Sequence, residues 1–252
     1  MRYSWAVLGL MLLSPAGWGQ EEDRSLKLFE AAIQAMGGEA YSSVTGIVSS
    51  GHLFYFNREG ANSNMIRFDD YTKLPDKSRF ELGNNKKARD VTVFNLGRNE
   101  GWILEGQKPT RDATPEEMKD FRAAVKHSLD YIFRYRYKDP QNKNFYLGPG
   151  QGADVRYEIV KLLDTENDEV TVYFDRSSKL PAKVHYSTAD KQGVQLRNVV
   201  EFSQWHNIQG INTPLRTDIL VNGRRSAQIF TTQVAYDTGI ADDFFSKPVP
   251  PK

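Results

Sequence analysis

The sequence predicts a mainly β (α+β) protein, in which a large curved antiparallel sheet or an unclosed β-barrel is covered on its concave face by helices. From Gly46 onward, short segments alternate apolar and polar residues, and turn residues separate them about every ten positions. Two other segments repeat apolar residues every three or four positions, as amphipathic helices do. A sheet of about eleven strands must curl or close, and each helix must bury its apolar stripe against a surface.

Residues 1–19 are typical of a secretory signal peptide. Arg2 precedes an apolar run from Trp5 to Leu13, and small residues follow up to Gly19. The apolar run is about half as long as a membrane-spanning helix must be. We therefore expect export, cleavage immediately after Gly19, and one domain over residues 20–252.

The composition excludes several classes of partner. The chain has no cysteine, so neither a disulfide nor the acylated cysteine of a bacterial lipoprotein can form, and we expect no stable membrane anchor. Its 33 Lys and Arg residues balance 32 Asp and Glu residues. Without excess positive charge, no nucleic-acid partner is expected. Two short basic segments, Lys86–Arg89 and Arg134–Lys138, are predicted to be solvated surface.

Local signals define the helices. The first is predicted over Asp23–Met36, with Gly37-Gly38 ending it. The second starts at Thr114, because a threonine cap, a proline at the first helical position and a glutamate three residues after the cap form a capping box. Its predicted apolar face consists of Met118, Phe121, Val125, Leu129 and Ile132. The alternating aromatic residues Phe133, Tyr135 and Tyr137 favour an extended segment after it, although Tyr131 and Tyr135 are also spaced as a helical pair.

Short connections between strands predict a long antiparallel meander. Asn222-Gly223 is the preferred two-residue hairpin turn. Residues 138–152 are predicted to form a loop with a glycine-rich turn at Gly148–Gly152. The predicted strands are Gly46–Phe56, Asn64–Thr72, Ser78–Gly83, Val91–Asn95, Gly101–Leu104, Val155–Leu163, Val170–Asp175, Ala182–Thr188, Val194–Trp205, Thr213–Val221 and Ser226–Tyr236.

No residue pattern indicates a catalytic or metal site. The histidines lack the spacing of zinc ligands, and thiol chemistry is absent without cysteine. His185 and His206 lie in neighbouring predicted strands and could approach each other, but surface histidines or hydrogen-bonded strand histidines are far more common. Adjacent acids such as Asp69 and Asp70 point to opposite faces of a strand. We therefore predict a non-enzymatic protein with no cofactor and no metal.

Aromatic residues in the strands are the best candidates for a binding site, because sites for small molecules are mostly apolar. Strand alternation places Val200 and Phe202 on one face and leaves Trp205 on the opposite face. The residues predicted to line an apolar cavity are Phe54, Phe56, Ile66, Phe68, Phe80, Trp102, Val200 and Phe202.

Four segments carry a resemblance to a known family: Phe174–Lys183, Glu201–Trp205, Gly210–Pro214 and Ala241–Phe245. With the signal peptide, the helix ending in Gly-Gly and the helical insertion, they make the chain similar to the outer-membrane lipoprotein-sorting (LolA-like) carriers. In that family an unclosed barrel of antiparallel strands is covered by helices around an apolar cavity. The resemblance implies a lid-holding arginine, for which the candidates are Arg58, Arg67 and Arg79.

The leading hypothesis is a periplasmic carrier or binder of lipid, lipoprotein acyl chains or another apolar ligand, which is released when a helix moves. Its partners would be that ligand and an inner- or outer-membrane protein. The alternative is a structural or protein-interaction module of the envelope, with a filled core and an edge strand that recruits a partner. An enzyme that uses His185 and His206 ranks third.

Overall fold

The computed structural model describes residues 16–248, with side chains from residue 22 onward. Residues 1–15 of the predicted signal peptide lie outside the described residues. The first helix, α1, spans Ala16–Met36 and begins earlier than the predicted start at Asp23. The sequence from Ala16 to Met36 contains no proline, so nothing interrupts the helix there. Among the described residues, no helix has the length and apolar character needed to cross a bilayer.

The described residues form one antiparallel sheet of 13 strands, in the order β6-β5-β4-β3-β2-β1-β13-β12-β11-β10-β9-β8-β7. The outermost strands, β6 and β7, do not pair with each other, so the sheet stays open and the predicted fold class is confirmed. The strands are β1 Gly46–Tyr55, β2 Ile66–Lys73, β3 Lys77–Leu82, β4 Asp90–Asn95, β5 Glu100–Leu104, β6 Arg111–Asp112, β7 Lys143–Gln151, β8 Arg156–Leu163, β9 Glu169–Asp175, β10 Pro181–Ala189, β11 Gln195–Ile208, β12 Ile211–Val221 and β13 Arg224–Tyr236.

Two of these strands were not predicted. Strand β6 is a two-residue edge, and β7 lies where a loop with a glycine-rich turn was expected, so that prediction was wrong. Because β7 is an edge strand with one neighbour, Pro149 can face Glu158 of β8 without interrupting a second ladder. A register shift between Tyr146 and Gly148 accommodates the irregular backbone of this strand.

The helical insertion, residues 115–138, consists of two helices and a 3-10 turn. Helix α3 spans Pro115–Lys126 and has the predicted capping box at Thr114. A break follows, and α4, Leu129–Arg134, starts with its own cap, because the Ser128 side chain accepts a hydrogen bond from the N–H of Tyr131. The single predicted helix is therefore two. The prediction of an extended segment after the helix was also wrong, since a 3-10 turn over Arg136–Lys138 follows α4.

The main core lies between the helices and strands β8 to β10. The Phe29 ring of α1 lies 5.1 Å, centroid to centroid, from Phe133 of α4 and from Phe174 of β9. Helix α1 ends at Met36 as predicted, and a short helix α2, Glu39–Ser42, follows it. A Cβ on Gly37 would lie 2.6 Å from the carbonyl oxygen of Gly210, so only glycine allows this approach of helix and hairpin.

A second, smaller core covers the opposite face of the sheet. The segment after β13 crosses that face and buries Phe245 against Val91, Val93 and Trp102. The Trp102 indole N–H donates to the carbonyl of Phe245 at 3.2 Å. At this end, therefore, both faces of the sheet are covered by other parts of the chain.

Candidate functional site: a cavity between the helices and the sheet

A cavity of about 230 Å³, called here the central cavity, separates the helices from the middle of the sheet. Its helical wall is built by α1, α2 and α4, and its other wall by β1, β2 and β11 to β13. Apolar and aromatic side chains make up much of its lining, including Met36, Ile47, Phe202, Trp205 and Tyr236. The space between helix stripe and sheet is thus not completely filled.

A second cavity, of about 300 Å³, adjoins the first and is called here the insertion cavity. It lies between β2, β3 and the inner side of α3 and α4, with Phe121 and Val125 in its wall. Asp70, Thr72 and Asp130 line both cavities. Together the cavities reach the size range of small-molecule pockets, which begins near roughly 300 Å³.

Five of the eight predicted lining residues lie on the cavity face of the sheet. Directly paired residues of antiparallel strands project to the same face. Val200 pairs with Val184 of the main core. Ile66 lies on the same face because a row of paired residues leads to it from Phe202 through Thr217, Ile229 and Leu53. The five are Ile66, Phe68, Phe80, Val200 and Phe202, and Phe202 lines the central cavity itself. Their role in ligand binding remains a prediction.

The other three predicted residues lie on the opposite face. Phe54 contacts Phe230, with ring centroids 6.1 Å apart, and Phe56 lies under the guanidinium of Arg225 at 5.6 Å. Trp102 pairs with Val93 and packs in the second core. Strand alternation alone gave no reason to choose between the faces, because both carry apolar residues: the C-terminal segment covers Trp102 on this face as the helices cover residues on the other.

Trp205 belongs to the cavity, contrary to the prediction that it faces away from Phe202. Gln204 has a positive φ of 55°, and the pairing of β11 with β12 is interrupted between Ser203 and Trp205. The alternation of side chains is therefore broken at this point. The Phe202 and Trp205 rings are 6.4 Å apart, and both line the central cavity.

Asp70 is the unusual residue of the site. It shares its strand face with Phe68, while Asp69 projects to the other face and pairs with Arg67 and Arg89, as the prediction of opposite faces requires. Burial and the nearby charge of Asp130 raise the pKa of Asp70 to about 7. Asp70 was not among the predicted lining residues, although an acid in phase with Ile66 and Phe68 on an apolar strand face is a visible signal.

Arg134 connects α4 to α2 beside the central cavity. Its Nε donates to Asp130 at 3.0 Å, and its Nη1 donates to the backbone carbonyl of Tyr41. The guanidinium carbon lies 3.9 Å from the centre of the Tyr41 ring. The residue is only 6% exposed, so the prediction of a solvated basic segment was wrong at this residue.

Arg136 anchors the helical insertion to the β8–β9 hairpin and is 2% exposed. Its guanidinium donates to the Asp168 carboxylate at 2.8 Å and to the Asp168 backbone carbonyl at 2.7 Å. His127 contacts the same carboxylate at 2.9 Å, and Lys126 contacts Asp164 at 2.6 Å. Burial favours a higher pKa for Asp168, but His127 and Arg136 outweigh it and hold the pKa below its usual value.

Among the described residues, Arg58, Arg67 and Arg79, the candidates suggested by the resemblance, make no hydrogen bond or ion pair with the helical insertion. Arg79 donates to the carbonyl of Phe244 in the C-terminal segment at 3.1 Å, and Arg67 pairs with Asp69. Arg58 lies exposed in the β1–β2 connection. Instead, two buried arginines of the insertion itself hold it to the rest of the protein: Arg134 to α2 and Arg136 to the β8–β9 hairpin.

The structure does not bring the two candidate histidines together. His185 pairs with Val199, whereas His206 lies seven positions further along β11, a distance of about 23 Å along the strand. Burial, together with Lys183 and Arg197, lowers the pKa of His185 to about 4. Within residues 16–248, no group of three or more His, Cys, Asp or Glu side chains is arranged to hold a metal ion.

No family model matches this sequence, and no curated protein sequence matches it. Solved structures do match. A DUF1329 family protein of Desulfovibrio piger aligns with a TM-score of 0.60 at 12% identity, over 88% of this chain and 97% of that chain. A LolA superfamily protein of Nitrosomonas europaea aligns with a TM-score of 0.58 at 11% identity, over 88% and 97%.

An outer membrane lipoprotein-sorting protein domain of Vibrio parahaemolyticus aligns with a TM-score of 0.55 at 12% identity, over 89% of this chain and 97% of that chain. These matches cover nearly the whole described part of the chain at very low sequence identity, so the likeness concerns the fold. The open antiparallel sheet with helices over its concave face is therefore a LolA-like fold.

Proposed function

We propose that this protein is a non-enzymatic carrier that binds a lipid, an acyl chain or another apolar ligand between its helices and its sheet. The observation that carries the proposal is the central cavity, where Phe202 and Trp205, at the margin of the main core, line unfilled space between the helices and the sheet. A carrier needs such a space, because burial of an acyl chain stabilises the complex by about 0.8 kcal/mol for each CH₂ group.

The surrounding sheet supports a ligand longer than the central cavity. Ile66, Phe68 and Phe80 lie on the same face, and Phe68 and Phe80 stack with ring centroids 5.8 Å apart. Phe80 pairs directly with Asp70, which lines both cavities. A chain bound at Phe202 can therefore extend along an apolar strip without changing face.

Release by movement of a helix agrees with how α3 is held. Met118 is the buried residue of this 12-residue helix, and Phe94 stacks on Phe121 at 4.2 Å. Helix α4, by contrast, buries Ile132 and Phe133 in the main core. Elements with few buried contacts open at low free-energy cost, so α3 is the part of the insertion that moves.

The cellular setting belongs to the same proposal. Cleavage of the signal peptide near Gly19 delivers residues 20–252 to the periplasm as one domain, and an inner- or outer-membrane protein donates or receives the ligand. The LolA-like fold supports this setting, since one of the matching structures is named an outer membrane lipoprotein-sorting domain. The carrier requires neither a cofactor nor a nucleic acid.

Titration with a pyrene-labelled fatty alcohol, whose polar end is uncharged, tests the proposal. We expect saturable binding, weakened about fivefold by Phe202→Ala, because loss of one aromatic contact costs about 1 kcal/mol. Phe54→Ala is the matched control, since it removes the same side chain from the opposite face and should leave the affinity unchanged. Absence of saturable binding would instead favour the envelope module with a filled core.

A further inference from the structure

Two aspartates face each other across the space between sheet and helices. Asp70 lies on β2 and Asp130 on α4, and both line the central cavity and the insertion cavity. Asp130 has a cationic partner, because Arg134 donates to it at 3.0 Å. Asp70 differs. Burial and the charge of Asp130 raise its pKa, and the group that opposes this rise is the backbone N–H of Tyr71, not a cation. Among the residues that the structure describes, Asp70 therefore has no cationic partner.

A buried hydroxyl points to a ligand at the same place. Tyr41 is 5% exposed and lines the central cavity beside Asp130. Its hydroxyl makes no hydrogen bond of normal length and angle within the part of the chain that the structure describes, and burial and, after it, the nearby Asp130 carboxylate raise its pKa. A buried polar group without a partner costs about 1–3 kcal/mol. A ligand with a polar end would provide the hydrogen bond that the protein does not.

The walls around these polar groups select for an amphiphile. Phe202, Trp205 and Met36 provide apolar surface in the cavity where Tyr41 and Asp70 provide polar groups. A ligand end with a phosphate or a carboxylate would be repelled by the two aspartates. A cation instead gains a charge-assisted hydrogen bond from Asp70 and relieves the repulsion between Asp70 and Asp130.

We propose that the ligand of this cavity is an amphiphile with a protonated amine at its polar end, and that the ammonium group pairs with Asp70 and donates to the Tyr41 hydroxyl. This inference rests on the proposed carrier function and specifies the ligand's chemical class. The ammonium could belong to a free long-chain amine or to an amine-bearing lipid headgroup, because both present the same group to Asp70.

Several other titratable groups line the two cavities with Asp70, and besides burial, Asp130 among them acts on its pKa. Asp130 and Tyr131 of α4 line the cavities with Asp70, as do Tyr41 of α2, Tyr236 of β13, Asp76 of the β2–β3 turn and Tyr135 at the end of α4. Arg134 is paired with Asp130, and Lys77 is paired with Asp242 on the opposite face of the sheet. Asp70 becomes ionised as the pH rises past about 7, while an alkylamine stays protonated up to about pH 10. Amine binding should therefore strengthen from pH 6 to pH 8.5, whereas binding of an uncharged ligand should not change.

Isothermal titration calorimetry with decylamine and decanol, which share one alkyl chain, tests the proposal at pH 8.5. We expect decylamine to bind at least about tenfold more tightly, as a charge-assisted hydrogen bond contributes roughly twice a neutral one. Asp70→Asn should remove this preference and leave decanol binding unchanged. Asp120→Asn, an exposed aspartate on α3, is the control and should keep the preference.

The outcomes separate this inference from the carrier function. If decanol binds and decylamine binds no more tightly, or if Asp70→Asn keeps the preference, the ammonium assignment is wrong while the carrier function stands. If neither compound nor the pyrene-labelled alcohol binds, both fail. A second pair, lysophosphatidylethanolamine and lysophosphatidylglycerol with the same single acyl chain, identifies the source of the ammonium group. Tighter binding of lysophosphatidylethanolamine extends the assignment to lipid headgroups. If only decylamine is preferred over its uncharged counterpart, and the two lysolipids bind equally, the assignment is restricted to free amines.

Discussion

Arg136 should be a major contributor to stability, because it anchors the helical insertion from a fully buried position. Arg136→Met keeps most of the side-chain volume but removes the contacts at 2.8 Å and 2.7 Å to Asp168. Removing one partner of a buried ion pair costs about 3–5 kcal/mol, because the other charge stays buried. His127 and Lys126 still face Asp168, at 2.9 Å and 3.8 Å, so we expect the lower end, about 3 kcal/mol.

Urea unfolding at pH 7, followed by far-ultraviolet circular dichroism, measures this change. Asp168 has a lowered pKa in the folded protein, so its ion pairing stabilises the fold above about pH 4 and is lost as the pH falls further. Arg111→Met is the control, since Arg111 is 42% exposed and pairs with Glu105 and Glu117 at the surface, where such pairs contribute about 0–1 kcal/mol.

A double variant separates the lost pair from the charge left behind. Arg136→Met with Asp168→Asn leaves no unpaired carboxylate, and an amide can still accept the hydrogen bond from His127. We expect it to be more stable than Arg136→Met alone by about 1–2 kcal/mol. The reasoning fails if Arg136→Met costs no more than Arg111→Met, or if neutralising Asp168 destabilises the single variant further.

Three further changes test other parts of the structure. Between pH 4 and pH 7 the folded protein holds a proton on Asp70 that the unfolded chain has released, so stability falls as pH rises. Asp70→Asn removes this loss and should stabilise the protein by at most about 4 kcal/mol at pH 8 and little at pH 4. Identical urea unfolding curves for the variant and the unmodified protein at pH 8 would refute this prediction. Phe29→Ala opens a cavity beside three aromatic rings whose centroids lie 5.1 Å from that of Phe29, and it should lower the free energy of unfolding in urea by about 3–5 kcal/mol. A loss of less than about 2 kcal/mol would contradict the close packing of Phe29. Thr114→Ala removes the hydroxyl that accepts from the Glu117 N–H, while the backbone N–H of residue 114 can still donate to the Glu117 carboxylate. It should cost about 1 kcal/mol, whereas no change would show that α3 is held by other contacts.

Several features of the fold follow from short-range physics and are visible in the sequence. Thr114 and Glu117 form their capping box within four residues, and Gly37-Gly38 ends α1 because both residues adopt positive φ. Asn222 and Gly223, with φ of 51° and 78°, make the predicted hairpin turn. Such signals depend on neighbouring residues alone, so the open antiparallel meander could be predicted before its tertiary packing was known.

Other features depend on contacts between distant parts of the chain. Pro149 lies in a strand because β7 is at the edge of the sheet, which no local pattern shows. Arg134 and Arg136 look like surface residues in sequence and are buried because Tyr41 and Asp168, far away in the chain, accept their hydrogen bonds. A basic side chain is buried or exposed according to partners that the adjacent sequence does not reveal.

The candidate site illustrates the same division. Alternation in the sequence determined that Ile66 and Phe68 share one face of a strand, and it determined that Asp69 and Asp70 do not. Only the tertiary structure decided which face meets the helices, sending Trp102 to the C-terminal segment and Asp70 to the cavity opposite Asp130. The physical reason is that side-chain alternation is a property of each strand, whereas burial depends on what the rest of the chain packs against each face.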